Sequence, residues 1–133
     1  MEKIMTLHIN CYDSYEVAGK EETVRQILFD GTAEGDYFNG KILPGGVDTQ
    51  RIKNGFCTLS ARYILSGTDK CGNECKIFVE NTLKTGEALS HPVMLTDSDC
   101  LSFLNNAVLS GKMINDSDDF RIEIYGDLTP ALL

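Results

Sequence analysis

The sequence KNGFCTLSARYIL, residues 53–65, decides the fold of this chain. Lys53-Asn54-Gly55 is a turn signal, and apolar or small side chains then occupy the odd positions from Cys57 to Leu65. Alternation with a period of two is typical of a strand that buries one face. An Asn-Gly pair before such a strand is typical of a tight hairpin turn. The stretch therefore predicts one strand of a β-hairpin.

The same alternation recurs on both sides of this hairpin, in residues 4–12, 74–82 and 120–125. Gly-rich or Asp-rich turn signals separate these runs at short intervals, as in all-β sandwiches and barrels. The segment 96–106 is equally consistent with a short helix and with a strand. A sheet of this size exposes strand edges unless it closes on itself. We therefore expect residues 1–133 to form a single closed antiparallel β-barrel domain of about eight to ten strands, with at most one short helix.

The composition narrows the classes of function. The chain of 133 residues carries 12 Lys and Arg against 20 Asp and Glu, which gives a net charge of -8. Nucleic-acid binding depends on cations that neutralise phosphates, so we expect no nucleic-acid partner. The apolar runs are too short to span a membrane as a helix, and the first residues lack the layout of a signal peptide. We therefore expect a cytoplasmic protein with no membrane partner.

The chain has five cysteines, an odd number that does not suit a disulfide framework. Cys71 and Cys75 are spaced so that two thiolates could hold half of a zinc site. No second pair is spaced to complete that site, so we expect neither a metal nor a cofactor. We interpret residues 71–75 as a reduced hairpin loop, and the other cysteines as small buried side chains. Those are Cys11, Cys57 and Cys100.

Several short motifs follow one another along most of the chain. Gly40 precedes Leu43-Pro44-Gly45-Gly46, and Asp48 and Gln50 come next. Together with the motifs further along, this order resembles a family of small proteins, the domain-of-unknown-function family 3237, also called uncharacterised protein family 0311. The further motifs are Ala61-Arg62-Tyr63, Val79-Glu80-Asn81, Leu104-Asn105 and Arg121-Ile122-Glu123-Ile124-Tyr125.

The resemblance implies an antiparallel β-barrel with a central cavity, somewhat like a lipocalin. Some fungal relatives resemble cyclases that act on polyketide-type substrates. This chain departs from the family pattern at two positions, where Thr49 replaces a usual tryptophan and Ser60 replaces a usual aspartate. The candidate ligand-binding residues are Asp48, Gln50, Arg62, Tyr63, Asn81, Asn105, Glu123 and Tyr125.

Asp48 and Arg62 are the candidates for catalysis. A lumen carboxylate could act as a general base, whereas a turn aspartate would only bond nearby backbone. A lumen guanidinium could stabilise an oxyanion, whereas an outward arginine would lie along the sheet. A two-residue turn at Asn54-Gly55 puts Asp48 opposite Ala61 and separates it from Arg62. A three-residue turn puts both side chains on one face, because a one-residue slip reverses every side chain.

The remaining candidates each have two interpretations. Tyr63 and Tyr125 are either hydrogen-bond donors in the cavity or core aromatics with a solvated tip. Glu123 lines the lumen only if the Ile122 and Ile124 face packs outward. The amides of Asn81 and Asn105 satisfy either nearby backbone groups or a ligand.

Three functions are compatible with this pattern. The favoured one is a barrel that binds a small apolar or aromatic molecule in its lumen. The first alternative is a cofactor-free lyase or isomerase of the cyclase type in the same cavity. The second is a homodimeric interaction module that uses an exposed apolar face around Ile122 and Ile124.

Overall fold

The computed structural model describes residues 1–128, so the last five residues of the expected domain, 129–133, lie outside the described range. Nine strands and one short 3₁₀ helix make up most of this part of the chain. The strands are β1 (Glu2–Ala18), β2 (Thr23–Glu34), β3 (Phe38–Ile42), β4 (Val47–Lys53), β5 (Phe56–Asp69), β6 (Glu74–Lys84), β7 (His91–Thr96), β8 (Val108–Asp116) and β9 (Asp119–Asp127). The helix, Ser102–Asn106, lies within the segment 96–106, for which the sequence allowed either a helix or a strand.

The strands form one antiparallel sheet in the order β7-β6-β5-β3-β2-β1-β9-β8, and β4 also lies between β2 and β5. The two ends of this order meet at Ser90 and Gly111. The Ser90 amide donates to the Gly111 carbonyl at 2.9 Å, and the Gly111 amide donates to the Ser90 carbonyl at 3.1 Å. The prediction of a closed antiparallel barrel is therefore confirmed.

Two strands, β3 and β4, share the position between β2 and β5. The Leu43-Pro44-Gly45-Gly46 segment joins them, and Pro44 has no amide hydrogen to continue the ladder. Hydrogen bonds at both ends hold the segment in line: the Leu43 amide donates to Ile64 at 2.9 Å, and the Phe29 amide donates to Gly46 at 3.1 Å. The barrel wall is therefore continuous across the break.

The turn between β4 and β5 has two residues. Asn54 and Gly55 both have positive φ, 52° and 76°, and Lys53 pairs with Phe56. Positive φ at both central positions is the signature of a type I′ hairpin turn. Asp48 consequently lies opposite Ala61, which decides between the two registers left open by the sequence.

The 3₁₀ helix packs against the close-packed part of the core. Leu65 and Ile77 are opposite each other on β5 and β6 and have no exposed surface. The helix inserts the buried Leu104 into this core, and its Phe103 ring packs edge-on against Tyr37 at 5.5 Å. This side of the barrel interior is therefore filled by side chains.

Ile122 and Ile124 on β9 also belong to the core, with 6% and 0% of their surface exposed. Because these side chains fill the barrel, the apolar outer face on which the homodimer hypothesis depended is not formed. The expectation of an exposed apolar face around these two residues, on which the interaction module rested, is wrong.

The cysteines differ from expectation. Cys71 and Cys100 form a disulfide that joins the β5–β6 turn to the segment before the helix, with 6.4 Å between their Cα atoms. The interpretation of a reduced loop is therefore wrong for Cys71, and that of a buried free thiol is wrong for Cys100. Cys75 is buried, Cys57 is half-buried and Cys11 is exposed rather than buried.

Asp69 lies beside this disulfide, and the three residues are close enough to suggest a metal site. The disulfide occupies both sulfur atoms, however, and Asp69 accepts hydrogen bonds from the Cys71 and Asn73 amides and the Ser98 hydroxyl. The Asp69 carboxylate therefore stabilises the β5–β6 turn through hydrogen bonds to its backbone. Among the described residues no helix is long and apolar enough to cross a membrane.

We expect the substitution Gly67→Ala to destabilise the barrel by about 2 kcal/mol, which corresponds to a fall in Tm of roughly 5–10 °C. Gly67 faces Gly40 across β5 and β3, and an added Cβ would lie 2.5 Å from the Gly40 Cα and still closer to the Asn39 carbonyl. Thermal denaturation measures the change. Thr68→Ala, at the exposed next position, is the control, and an equal Tm for both variants would contradict the close approach.

We expect the stability contributed by His8 to be present at low pH and lost at high pH. Its ring contacts Glu34 at 2.9 Å and Asp119 at 3.3 Å, and the Glu34 hydrogen bond, opposed by partial desolvation, raises the pKa of His8 above 6.5. A raised pKa in the folded state stabilises the protein below the unfolded pKa, and this effect disappears as the pH rises through the folded pKa.

Denaturant unfolding of the wild type and of His8→Gln tests this expectation. The difference in free energy of unfolding should be larger near pH 5.5 than near pH 8.5. Added salt should reduce the difference, since the three side chains are partly exposed. A difference that grows with pH would contradict the assignment.

Candidate functional site

A cavity of about 150 Å³ lies inside the barrel, beside the packed core. Along β5, the fully buried Leu65 belongs to the packed part, whereas Leu59 and Ala61, nearer the hairpin turn, line the cavity. Most of the wall is apolar. The main apolar contributors from the other strands are Ile9, Ile27, Phe29, Met113, Phe120 and Ile122.

Strand register brings the polar side chains into this cavity. One row of paired residues crosses four strands, from Ile27 through Asp48 and Ala61 to Asn81. Paired residues in neighbouring strands point to the same face of a sheet. Since Ala61 has only a methyl side chain, Asp48 and Asn81 face the lumen on either side of an open gap. Tyr63 is two residues further along β5 and points the same way.

Three of these polar residues carry buried atoms without a hydrogen-bond partner in the described part of the chain. The atoms are Asp48 Oδ1, Tyr63 OH, Asn81 Nδ2 and Asn81 Oδ1. All three residues line the same cavity. Buried polar atoms in native proteins are nearly always paired, and leaving one unpaired costs about 1–3 kcal/mol. Their convergence on one cavity distinguishes this place from the rest of the core.

Burial shifts the pKa of two acidic side chains in the cavity, Asp48 and Tyr63. Desolvation raises the pKa of Asp48, and a 3.1 Å hydrogen bond from Gln50 Nε2 to Asp48 Oδ2 partly opposes that shift. Complete burial also raises the pKa of Tyr63 well above the ordinary range. The Tyr63 ring packs edge-on against Phe29 with centroids 5.4 Å apart, which holds its hydroxyl group in place.

A chain of polar contacts leads from Asp48 towards an exposed part of the barrel. Gln50 Oε1 accepts a long hydrogen bond from Arg25 Nη1 at 3.5 Å. Arg25 in turn donates from Nε and Nη2 to Glu16 Oε1, at 3.1 and 2.8 Å. Arg25, the cation in this series of contacts, is therefore already paired with the Glu16 carboxylate.

Arg62 does not face the cavity. The two-residue turn places it on the outer face of β5, where its side chain is 64% exposed and its Nε donates to Glu80 at 2.7 Å. The pairing of Asp48 with Arg62 that a three-residue turn would produce is therefore not formed.

The structure also places Glu123, Tyr125 and Asn105 away from the cavity. Because Ile122 and Ile124 fill the interior, Glu123 and Tyr125 lie on the outer face of β9. There the Glu123 carboxylate accepts hydrogen bonds from Lys3 Nζ at 2.8 Å and from Tyr125 OH at 3.3 Å. Asn105 Oδ1 accepts a 2.8 Å hydrogen bond from the Thr96 amide and so joins the helix to β7. Four candidates, Asp48, Gln50, Tyr63 and Asn81, share one cavity.

Sequence reasoning did not identify the aromatic and sulfur-containing parts of this site. Phe29, Phe120 and Cys11 all line the cavity. Cys11 lies beside a bulge in β1 between Cys11 and Asp13, which interrupts the pairing with β2. The alternation of β1 places Cys11 on the inner face, but only the assembled barrel shows which residues share the cavity with it.

The fold and the cavity define the class of this protein: a small closed antiparallel β-barrel with a mostly apolar lumen and a few buried polar groups in it. The chain belongs to the family described as "Protein of unknown function (DUF3237)", which matches residues 1–82. That matched region contains all four cavity candidates. The family resemblance inferred from the sequence is confirmed.

Individual relatives agree with this assignment. UPF0311 protein CA_C3321 from Clostridium acetobutylicum is 36% identical over 67 residues, which cover 50% of this chain and 39% of that protein. A crystal structure of a protein with unknown function from Clostridium acetobutylicum ATCC 824 superposes with a TM-score of 0.79 at 22% identity, covering 95% of this chain and 97% of the other. A beta-barrel like protein from Acinetobacter baumannii AYE gives a TM-score of 0.77 at 20% identity, with 94% and 93% covered.

We expect Asn81→Leu to raise the free energy of unfolding by about 1 kcal/mol, because it removes two buried unpaired polar atoms without emptying the space. Chemical denaturation of the ligand-free protein measures this. The matched control is Asn105→Leu, which removes a formed hydrogen bond and should lower stability. Equal destabilisation by both variants would mean that Asn81 has a structural partner in the folded chain.

Proposed function

We propose that this protein binds a small, largely apolar molecule in the lumen of its barrel. The observation that carries the proposal is the convergence of four unpartnered buried polar atoms on one otherwise apolar cavity. Ligand pockets combine these two features, since apolar walls supply affinity and a few polar groups fix orientation. The polar end of the ligand would lie between Asp48, Tyr63 and Asn81.

The energetics favour a ligand over a purely structural role for these groups. Each unpaired buried group lowers stability by about 1–3 kcal/mol, and a bound molecule that pairs with it would recover that free energy. Apolar side chains at the same positions would pack without this penalty. Stability lost at a binding site is a common consequence of function.

The size of the cavity limits the ligand. An apolar cavity of about 150 Å³ accommodates a single benzene-sized ring, and the volume here is similar. Cys11, which lines the cavity, belongs to an exposed stretch of β1. A ligand longer than one ring would therefore extend past Cys11 towards solvent.

A second function for the same cavity is cofactor-free proton transfer, as in an isomerase or lyase. One observation favours it: Asp48 has a free Oδ1, and desolvation raises its pKa. A carboxylate whose pKa approaches the working pH is a better general base. In this scheme Asp48 would accept a proton from the bound molecule, while the Asn81 amide or the Tyr63 hydroxyl would donate to the oxygen that becomes negative.

Native and denaturing mass spectrometry of the same purified preparation tests the binding proposal. We expect a small mass that is present in the native state and released on denaturation. Ala61→Leu fills the gap between Asp48 and Asn81 and should abolish this mass. Arg62→Leu, one position away on the outer face, should retain it, because it removes only an exposed ion pair.

The two functions make different predictions for Asp48→Asn. If the protein only binds, the same molecule is recovered with reduced occupancy. If it catalyses proton transfer, the variant retains an unconverted molecule that the wild type converts, so that kcat falls more than affinity. An empty wild-type protein that also takes up none of a panel of one-ring apolar molecules would contradict both.

A further inference from the structure

The residues that line the cavity disfavour a negatively charged ligand. Among the described residues that line it, Asp48, Tyr63 and Cys11 are the titratable groups, and none is Lys, Arg or His. Desolvation raises the pKa of each of the three, and at Asp48 the hydrogen bond from Gln50 partly opposes that shift. Arg25 contacts the polar chain only through Gln50 and is paired with Glu16. The cavity therefore offers no free cation to an anionic ligand.

The unpaired atoms also define the hydrogen-bonding character of the ligand. Asn81 Nδ2 needs an acceptor, Asn81 Oδ1 needs a donor, and the Tyr63 hydroxyl can serve either way. Asp48 Oδ1 accepts when the carboxyl group is ionised. A carboxylate would bring acceptors only and would face Asp48 with like charge. An ammonium group could pair with the Asp48 carboxylate, but it would bring donors only and would leave Asn81 Nδ2 unpaired.

A neutral hydroxyl group meets these requirements, because it donates one hydrogen bond and accepts others. Aromatic side chains surround the place where its ring would lie, with Phe29 and Tyr63 already in edge-on contact at 5.4 Å and Phe120 also in the wall. Edge-on and offset contacts are the favourable arrangements for a further ring. The wall and the polar groups thus suit the two ends of one small molecule.

We propose that the lumen binds a neutral ring-containing molecule with a hydroxyl group, such as a phenol, and rejects the carboxylate analogue of the same size. The inference rests on the proposed function, since it concerns the ligand of that same cavity. Asp48 is the residue that excludes the carboxylate. Asn81 and Tyr63 position the hydroxyl group.

Two probes with the same ring separate the charge states: 4-methylphenol, which is neutral at neutral pH, and 4-methylbenzoate, which is anionic. Titration of the protein with each probe, followed by NMR, measures the dissociation constants. We expect the phenol to bind at least about tenfold more tightly than the benzoate, which is the effect of one buried polar group left unpaired. Ala61→Leu should abolish the binding if the probe lies in the lumen.

The variant Asp48→Asn tests the cause of the selection. It removes the charge but keeps a group that hydrogen-bonds, so binding of the benzoate should improve by about tenfold relative to the phenol. Glu80→Gln is the matched control, because it removes the same charge from the outer face of β6, where Glu80 pairs with Arg62. It should leave the ratio of the two dissociation constants unchanged.

Failure of this inference and failure of the proposed function give different results. If the benzoate binds the wild type as tightly as the phenol, with loss of binding in Ala61→Leu, the lumen binds ligands but does not select against negative charge. If both probes fail to bind, or bind equally well to Ala61→Leu, the lumen is not a ligand site and both proposals fall. An equal response of Asp48→Asn and Glu80→Gln overturns the role of Asp48.

Discussion

The pairing of Lys53 with Phe56 across the Asn54-Gly55 turn is the constraint on which the interior of this barrel depends. The two positive φ angles allow a two-residue loop whose twist matches the strands it joins. Side chains alternate between faces, so this loop length decides that Asp48 points inwards and Arg62 outwards. One more residue in the loop would have put both side chains on one face instead.

The barrel interior has a close-packed part and a part that contains the cavity. Close-packed apolar side chains such as Leu65 and Ile77 fill one part, and the 3₁₀ helix adds Leu104 to it. The other part keeps polar atoms without partners around Ala61, where larger apolar side chains would pack more favourably. Asp48 and Asn81 flank the small Ala61 in one row, a combination that close packing does not require. This contrast supports a ligand site more strongly than the cavity volume does.

Local sequence patterns predicted the fold of this barrel more completely than its cavity. Alternation around residues 57–65 and the repeated turn signals predicted strands, and the number of strands predicted closure, which the Ser90–Gly111 contact provides. The family resemblance pointed to Asp48, Gln50, Tyr63 and Asn81, which the fold brings together. It also pointed to Arg62, Glu123 and Tyr125, whose motifs lie in strands but whose side chains face outwards. The Cys71–Cys100 bond was missed because it joins loops 29 residues apart.

The sequence by itself determined the class of fold. The alternation of apolar residues, the turn residues and the chain length can all be read without knowing which strands pack together. The sequence also determined that the protein is acidic, with a net charge of -8. Only the tertiary structure decided which residues share the lumen. That choice depends on register between strands distant in sequence, as in the row from Ile27 to Asn81. Whether a buried polar atom has a partner is likewise a property of the assembled barrel, because it depends on every strand that faces it.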